Sequence, residues 1–343
     1  MNDLHGSCDV SVVAPCFNEA KVLEEFHRRT TAACRAAVGS SYEIVLVDDG
    51  SGDQTWDVMC ALSKDGHTVA VRLMRNSGQQ LAVTAGLSVA RGNRVLLLDA
   101  DLQDPPELLG EMIRLMDKGA DVVYGKRISR EGETFFKKTS SAAFYRVMRL
   151  LGSAPIPMDT GDFRLLSNRV VQIVLSMPER QRFLRGMVSW VGGKQVPLLY
   201  ERHARASGDS KFPLSRMLRL SADAITSFST TPLRLAIWLG LVAGGIAIAL
   251  FTYTIVVWWK GRTIAGWSSI MTIITLFSCV QFLVLGAIGE YIGRLVEETK
   301  GRPLFLIDKI KSKHHEFEPP VDFAQHSFAD RKALLDAAKH SSE

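Results

Sequence analysis

The chain has 343 residues, of which 47% are hydrophobic and 22% are charged, and its formal net charge is +5. This length accommodates one large globular domain and a further segment, and the composition excludes wholesale disorder. The net charge is modest and basic residues form no stripe interleaved with aromatics, so a nucleic acid is not an expected partner. The five cysteines are an odd number without metal-ligand spacing, which predicts ordinary reduced thiols.

Short apolar segments rich in β-forming residues alternate with helix-like segments in the first part of the chain. The predicted strands are 10–14, 44–47, 69–73, 95–98 and 122–124. The predicted helices are 19–37, 54–63, 79–90 and 107–118. This alternation predicts an α/β domain with a mainly parallel sheet and helices on its faces. Ligands of such sheets bind beyond the carboxyl ends of the strands, and no G-x-G-x-x-G follows the first strand to indicate a dinucleotide site.

Two long uncharged segments, 235–259 and 263–289, follow this α/β region. Each exceeds the roughly 20 residues that a helix needs to cross a hydrocarbon core of about 30 Å. We therefore predict two transmembrane helices, with two buried helices of a large soluble core as the alternative. Basic residues are frequent before the first segment and after the second, which predicts cytoplasmic termini. The first nine residues have no apolar stretch of signal-peptide length, so export of the α/β region is not expected.

The polar motif Asp99-Ala100-Asp101-Leu102-Gln103 directly follows a predicted strand. Two carboxylates and an amide oxygen in alternation place hard oxygen ligands on one side of an extended segment. Mg²⁺ or Mn²⁺ that shares its coordination with substrate phosphates is suited to such ligands. The next acid, Asp104, could instead cap the helix that begins after two prolines.

A second acidic motif, Asp48-Asp49-Gly50-Ser51-Gly52-Asp53, also follows a predicted strand. The two glycines permit a tight turn, and Asp53 can cap the next helix. At least one of these acids is therefore expected to be structural. Two adjacent acids at the end of a strand exceed what a turn requires, which indicates a binding role for the other.

Seven motifs, in order along the chain, resemble those of glycosyltransferase family 2. They are 14–19, 47–51, 99–107, 161–164, 179–186, 205–212 and 289–294. More narrowly they resemble the polyisoprenyl-phosphate glycosyltransferases, a group with dolichol-phosphate mannose synthase and bacterial bactoprenol glucosyltransferases. The resemblance spans residues 10–307. It implies a Rossmann-like domain of GT-A type followed by two transmembrane helices.

The resemblance also implies a reaction. A sugar would pass from a nucleotide diphosphate sugar, expected to be a UDP-sugar such as UDP-glucose, to a polyisoprenyl phosphate, expected to be undecaprenyl phosphate. Direct displacement at the anomeric carbon would invert its configuration, and the chain offers no second carboxylate dedicated to a covalent intermediate. The product would serve modification of cell-envelope glycans such as lipopolysaccharide.

Residue roles follow from the same resemblance. The implied nucleotide pocket consists of Pro15, Asn18, Glu19, Asp48 and Asp49. The implied metal site for Mg²⁺ or Mn²⁺, bridging the two donor phosphates, consists of Asp99, Asp101 and Gln103. Arg127 is an implied phosphate contact and, with Asp162, a predicted catalytic residue. The need for positive charge beside two anionic groups adds Arg164, Arg182 and Arg185 as predicted phosphate contacts, and the resemblance further implies Arg205, Ser210 and Lys211. The last three match a mobile segment that closes over the donor, although attraction to lipid headgroups also explains them.

Asp162 matches the residue usually discussed as the catalytic base. The acceptor phosphate has a second pKa near 6 and is largely dianionic at neutral pH, so the reaction requires no strong base. Asp162 could instead hold Arg164 or another arginine in place, or contact the sugar. Both roles, base and organiser, remain open at this point.

The resemblance gives an expected organisation and location. The predicted parts are a cytoplasmic GT-A domain (1–205), an interfacial juxtamembrane segment (206–233), two transmembrane helices with a short outside connector (234–293) and a cytoplasmic tail (294–343). We expect a multi-pass protein of the bacterial inner membrane, with its catalytic domain and both termini in the cytoplasm. Expected partners are the lipid bilayer, further copies in a homo-oligomer and a downstream lipid-sugar flippase.

Three other functions are less consistent with the sequence. A processive polysaccharide synthase of the same family would carry Q-x-x-R-W, which residues 181–186 lack, and two membrane helices are few for a polymer channel. A nucleotidyltransferase would show a glycine-rich, lysine-bearing phosphate loop near the first strand. A non-catalytic membrane scaffold that binds nucleotide sugars is disfavoured because Asp99, Asp101 and Asp162 are all present.

Overall fold

The computed structural model describes residues 8–128, 160–201, 266–313 and 315–320, together with parts of 238–260. These residues belong to two compact units. The first contains the sheet and the helices that cover it. The second contains a helix of 33 residues, Trp267–Thr299.

Nine strands within the described residues form one mixed sheet. In chain order they are β1 (Val10–Cys16), β2 (Tyr42–Asp48), β3 (Thr68–Leu73), β4 (Arg94–Leu97), β5 (Val122–Arg127), β6 (Thr160–Ser167), β7 (Gln195–Tyr200), β8 (Ile307–Lys311) and β9 (Glu316–Phe317). Their order across the sheet is β7-β5-β6-β4-β1-β2-β3-β8-β9. The four central strands, β4-β1-β2-β3, are parallel to one another. On either side β6 and β8 run antiparallel to their central neighbours, whereas β7 is parallel to β5.

Helices cover both faces of the central strands. In the first unit they are α1 (Leu23–Val38), α2 (Thr55–Leu62), α3 (Gln79–Val89), α4 (Leu109–Asp117), α5 (Asn168–Ser176) and α6 (Leu184–Val191). The helix of the second unit is α7 (Trp267–Thr299). Alternate residues of β1 and β2 pack into one core with Leu23 and Phe26 of α1. Val13 and Val47 face α3 instead, where they approach Gly86 so closely that a Cβ there would collide with both. All residues of β2 are consequently buried, as expected for a strand covered on both faces.

The predicted α/β architecture is confirmed, with one correction to the sheet. The five predicted strands and four predicted helices are present, with ends shifted by a few residues. The mainly parallel arrangement holds for the centre, but β6 and β8 make the sheet mixed. The predicted tail, 294–343, includes β8 and β9, which extend the sheet beyond β3. Ile307 and Ile310 are the buried residues of β8, too few in a lysine-rich segment to indicate a strand.

Among the described residues, no helix combines the length and the apolar character that a membrane crossing requires. The first predicted span, 235–259, lies partly outside the described residues. The two predicted transmembrane helices therefore stay a prediction.

Candidate active site

Polar side chains from several strands meet at one edge of the sheet. The central parallel strands place their carboxyl ends there, and antiparallel β6 brings its amino end to the same edge. In the register of β4 and β6, Leu97 pairs with Arg164. Asp99 lies two residues after Leu97 and Asp162 two residues before Arg164. The antiparallel pairing therefore brings a carboxylate of the D-x-D motif opposite Asp162.

The carboxyl group of Asp99 lies in a concentration of negative charge. Burial raises its pKa to about 7, and the charges of Asp162, Asp101 and Asp104 act in the same direction. The side-chain amide of Gln79 donates a hydrogen bond to Oδ1 of Asp99 over 2.8 Å and opposes the shift. Burial and the neighbouring acids both favour the neutral form of Asp99, and a bound cation would favour the charged form instead.

The D-x-D segment turns sharply rather than continuing as a strand. Leu102 has a positive φ of 60° and is buried, which is uncommon for a branched residue. The turn is closed by the backbone N–H of Gln103, which donates to Oδ1 of Asp101 over 3.1 Å. Asp101 therefore helps to shape the loop as well as contributing charge, a role that its spacing alone did not predict.

A divalent cation fits this loop if the substrate supplies further ligands. Within the described residues, no group of three His, Cys, Asp or Glu side chains converges closely enough to hold an ion alone. Asp99, Asp101 and Gln103 offer two carboxylates and one amide oxygen. Mg²⁺ is commonly held by one or two carboxylates together with substrate phosphates and water. The donor set therefore suits an ion shared with a diphosphate.

Asp162 accepts hydrogen bonds on both carboxylate oxygens. Gln80 Nε2 donates to Oδ2 over 3.1 Å, and a terminal nitrogen of Arg185 lies 3.5 Å from Oδ1. Burial alone would raise the pKa of Asp162, but the charges of Arg185 and Arg164 and the bond from Gln80 together lower it. Arg164 is itself buried, which lowers its pKa to about 10, and it donates to the carbonyl of Gly161 over 2.9 Å. Asp162 thus lies beside Arg185 and within the electrostatic influence of Arg164, an arrangement that fits an organiser, and both roles, base and organiser, stay predictions.

Arg127 is linked to the D-x-D loop through a tyrosine. The Nε of Arg127 donates to the hydroxyl of Tyr200 over 3.4 Å, and that hydroxyl donates to Oδ1 of buried Asp104 over 2.5 Å. Burial and the neighbouring Asp104 raise the pKa of Tyr200 to about 12, so the hydroxyl keeps its proton. A Cβ at Gly161 would lie 2.9 Å from the Arg127 guanidinium. The absence of a side chain at Gly161 thus leaves room for this arginine beside Asp162.

Replacing Tyr200 with phenylalanine should weaken both this loop and the reaction. The change removes the donor to Asp104 and the acceptor of Arg127 while keeping the ring. A hydrogen bond to a charged group contributes about 1.5–3 kcal/mol, so we expect the free energy of unfolding to fall by about that amount and transfer by about tenfold. Denaturant unfolding and initial rates measure the two effects. Tyr42→Phe at the amino end of β2 is the matched control, because the Tyr42 hydroxyl has no hydrogen-bond partner among the described residues, and equal losses in both variants would contradict this role.

Hydrogen bonds join the loop after β1 to the loop after β2. Asn18 has a positive φ of 55°; its backbone N–H donates to the Ser51 hydroxyl and its side-chain oxygen accepts from the N–H of Gly52. The backbone N–H of Glu19 donates to the hydroxyl of Thr55 over 2.9 Å. The predicted pocket residues Asn18 and Glu19 therefore lie at the predicted edge, and Asn18 also shapes it. Pro15, the remaining β1 residue of this set, is the last but one residue of the strand.

The adjacent acids Asp48 and Asp49 have different environments. Asp49 accepts from the backbone N–H groups of Ser77 and Gly78, over 2.7 and 2.9 Å, while burial and nearby Asp48 raise its pKa. Both oxygens of Asp49 thus fasten the loop before α3, and its predicted nucleotide contact stays a prediction. Within the described residues, Oδ2 of buried Asp48 accepts no hydrogen bond and lies 3.9 Å from Nε of Arg72. Oδ1 of Asp48 accepts from the backbone N–H of Ser51 over 2.9 Å, so Asp48 also closes a turn, and its predicted nucleotide contact stays a prediction.

Comparison with known proteins agrees with this geometry. Residues 11–174 match the family described as Glycosyl transferase family 2. The uncharacterized glycosyltransferase YkcC of Bacillus subtilis is 42% identical over 301 residues, covering 87% of this chain and 93% of YkcC. The chain belongs to glycosyltransferase family 2. Its mixed α/β sheet is accordingly of the Rossmann-like GT-A type.

Two further relatives have names that state an activity. The prophage bactoprenol glucosyl transferase homolog of Escherichia coli is 36% identical to the chain, with 88% of this chain and 99% of that protein covered. The bactoprenol glucosyl transferase of Shigella phage SfV is 35% identical, with 89% and 99% covered. The similarity thus extends well past the segment matched by the family.

The predicted phosphate contacts of this family 2 glycosyltransferase divide into three groups. Arg127, Arg164 and Arg185 reach the site. Arg182 donates through its two terminal nitrogens to the carbonyls of Val174 and Met177, each over 2.7 Å. It therefore supports the end of α5, and its predicted phosphate contact stays a prediction. The remaining predicted contacts lie outside the described residues: Arg205, Ser210 and Lys211.

Three polar residues of the site were missed by the sequence reading. Gln79 and Gln80 open α3, and Tyr200 ends β7. Gln79 and Gln80 are a short polar pair at the start of a helix, and Tyr200 is one tyrosine in an apolar strand. Neither pattern distinguishes these residues from ordinary surface or core positions. Their contacts become evident only when the strand order brings β4, β6 and β7 to one edge.

Proposed function

We propose that this family 2 glycosyltransferase moves a sugar from a nucleotide diphosphate sugar to a polyisoprenyl phosphate. The observation that carries the proposal is the meeting of Asp99, Asp162 and Arg185 at the carboxyl edge of the sheet. Similarity to two proteins named bactoprenol glucosyl transferases, over nearly their full length, supports a lipid phosphate as acceptor. UDP-glucose and undecaprenyl phosphate are the proposed substrates.

The donor would bind with its nucleotide over the β1 and β2 loops and its diphosphate near the D-x-D loop. Asp48 and Asp49 at the end of β2 would contact the nucleotide, as the family resemblance implies. Asp99, Asp101 and Gln103 would hold Mg²⁺ or Mn²⁺ together with the two phosphates. The cation, when bound, supplies Lewis-acid stabilisation of the charge on the departing nucleotide diphosphate.

The acceptor needs cations more than it needs a base. At neutral pH its phosphate is largely dianionic, and it must approach a second anionic group. Arg127 and Arg185 supply positive charge at the edge where the two substrates would meet, and Asp162 keeps Arg185 in place. Attack of the phosphate oxygen on the anomeric carbon, with departure of the nucleotide diphosphate, inverts the configuration. A product with the donor's anomeric configuration would contradict direct displacement.

A lipid acceptor also suits a membrane-anchored protein. We propose that segments 235–259 and 263–289 form two transmembrane helices in the bacterial inner membrane, with the catalytic domain on the cytoplasmic side. Their uncharged composition and the basic residues on either side support the proposal. Quantitative release of the full-length protein from membranes by alkaline carbonate would contradict it.

A processive polysaccharide synthase and a silent nucleotide-sugar-binding scaffold are the competing functions. The experiment that separates them measures release of nucleotide diphosphate from a panel of nucleotide sugars, with and without undecaprenyl phosphate. Our proposal predicts release that depends on the lipid phosphate and stops at one sugar per acceptor. Release that continues past one equivalent would indicate a polymer, and the absence of release with any donor would indicate a scaffold.

A further inference from the structure

Gln80 connects three elements of the site through one side chain. It is the second residue of α3, and its amide reaches both Asp162 on β6 and the backbone at the start of α6. Its own backbone carbonyl accepts from the Thr84 hydroxyl over 2.7 Å. The loop before α3 is fixed by Asp49, which accepts from the backbone of Ser77 and Gly78. Gln80 is therefore held on a rigid support.

The hydrogen bonds determine which way the amide of Gln80 faces. The backbone N–H of Leu184 can only donate, so the atom that lies 3.0 Å from it must be the carbonyl oxygen, Oε1. The NH₂ group is consequently directed to Oδ2 of Asp162. An NH₂ group requires an acceptor, so this arrangement favours the ionised form of Asp162.

The same glutamine also fixes the arginine that pairs with Asp162. Leu184 is the first residue of α6, and Arg185 follows it directly. Arg185 lies 3.5 Å from the other oxygen of Asp162. One side chain thus sets the orientation of the carboxylate and the position of the helical turn that carries its cation. Of the neutral side chains of this length, only glutamine has an acceptor and a donor side by side.

We propose that Gln80 is a positioning residue for sugar transfer, which holds Asp162 and Arg185 in the geometry that the reaction needs. The inference rests on the proposed function. It predicts that the donor half of the amide matters for turnover, independently of the acceptor half that stabilises α6.

Gln80→Glu separates these two halves. A carboxylate at this position keeps an oxygen for the N–H of Leu184 but directs its second oxygen at Asp162, where two acceptors repel each other. A residue that only supports α6 would tolerate this change. We expect kcat to fall by about 10²-fold, the usual consequence of displacing a catalytic constellation by about 1 Å. The Michaelis constant for the donor should change by less than about threefold, because orientation rather than ground-state binding is lost.

A matched control makes the same chemical change outside the site. Gln172→Glu on α5 alters an amide that donates to the side chain of Asn168 over 2.9 Å, and its transfer rate should stay close to that of the wild type. Thermal unfolding of each variant shows whether the protein still folds. Gln80→Leu, which removes both hydrogen bonds without adding charge, should lose turnover as well and unfold at a lower temperature.

A double-mutant cycle with Asp162→Asn distinguishes positioning from added negative charge. With asparagine at 162, an amide can donate to a glutamate at 80, so the double variant should be no slower than Asp162→Asn alone. Additive losses would overturn the proposal, since they indicate independent effects. Gln80→Glu with near wild-type kcat would also overturn it. Absence of transfer by the wild-type protein would refute the proposed function itself, and the two failures are thus distinguishable.

Discussion

Replacing Asp101 with alanine is expected to reduce sugar transfer by about 10³-fold while the protein still folds. The charge stabilisation supplied by a catalytic cation amounts to several kcal/mol, and each 1.36 kcal/mol corresponds to about tenfold in rate. Asp101 provides one of the carboxylates of the D-x-D loop, beside Asp99, whose pKa is raised by burial and, to a smaller extent, by the charges of Asp162, Asp101 and Asp104. Steady-state transfer at saturating Mg²⁺ or Mn²⁺ measures the effect.

The control for this prediction is Asp101→Asn. Asparagine keeps the oxygen that accepts from the N–H of Gln103, so the turn at Leu102 is preserved and only the charge is removed. Near-normal turnover of this variant in metal-replete buffer would contradict the metal role of Asp101. In the wild-type protein, exhaustive chelation should abolish transfer and Mg²⁺ or Mn²⁺ should restore it.

Replacing Asp162 with asparagine should lower turnover by about 10²-fold, with the same factor at every pH tested. The amide cannot hold Arg185 by charge, although it keeps much of the shape of the carboxylate. The pKa of Asp162 is lowered from its usual value, because Arg185, Arg164 and Gln80 outweigh the effect of burial. A lowered pKa means that the carboxylate keeps its charge above that value and is protonated only under strongly acidic conditions, so Asp162 stays ionised at neutral pH.

A general base would give a different pH dependence. Above the second pKa of the acceptor phosphate, near 6, the nucleophile loses its proton unaided and the deficit of the variant should shrink. The measurement is kcat of wild type and Asp162→Asn from about pH 5.5 to 8.5, a range that brackets this pKa, at saturating metal. Parallel profiles are expected for an organiser. Convergence of the two profiles at alkaline pH would show that Asp162 acts mainly as a base.

The centre of the fold was predictable because its signals are local. Each central strand is a short apolar segment followed by a helix, and every residue of β2 is buried. The ends of β2 and β4 were recognisable for the same reason, since apolar residues give way to acids at Asp48 and Asp99. The predicted edge of the sheet is therefore the observed one, with both acidic motifs at it.

The antiparallel strands and the contacts between distant residues were not predictable in this way. β6 joins β4 across more than 60 residues of sequence, and β8 joins β3 across more than 230. Such pairings depend on loop closure and packing rather than on a sequence period. The opposition of Asp99 and Asp162 depends on the β4–β6 register, so it was found only in the structure.

Side-chain chemistry alone also left the structural contacts of two predicted binding residues unrecognised. Arg182 and Asp49 have the charge expected of ligand contacts, but both are directed at backbone groups. A buried helix end or a loop without regular hydrogen bonds needs such partners as much as a substrate does. Conversely, uncharged Gln80 contacts the centre of the site. The difference between a binding residue and a structural residue depends on which groups its side chain contacts, and the sequence alone does not show those contacts.

The central claim is tested most directly by following a radiolabelled sugar into lipid. Full-length protein in detergent is incubated with the labelled nucleotide sugar, undecaprenyl phosphate and Mg²⁺ or Mn²⁺, and the mixture is extracted with organic solvent. We expect the label to enter the organic phase only when undecaprenyl phosphate is present, and not with Asp101→Asn. Consumption of the donor with all label remaining in the aqueous phase would contradict transfer to a lipid phosphate.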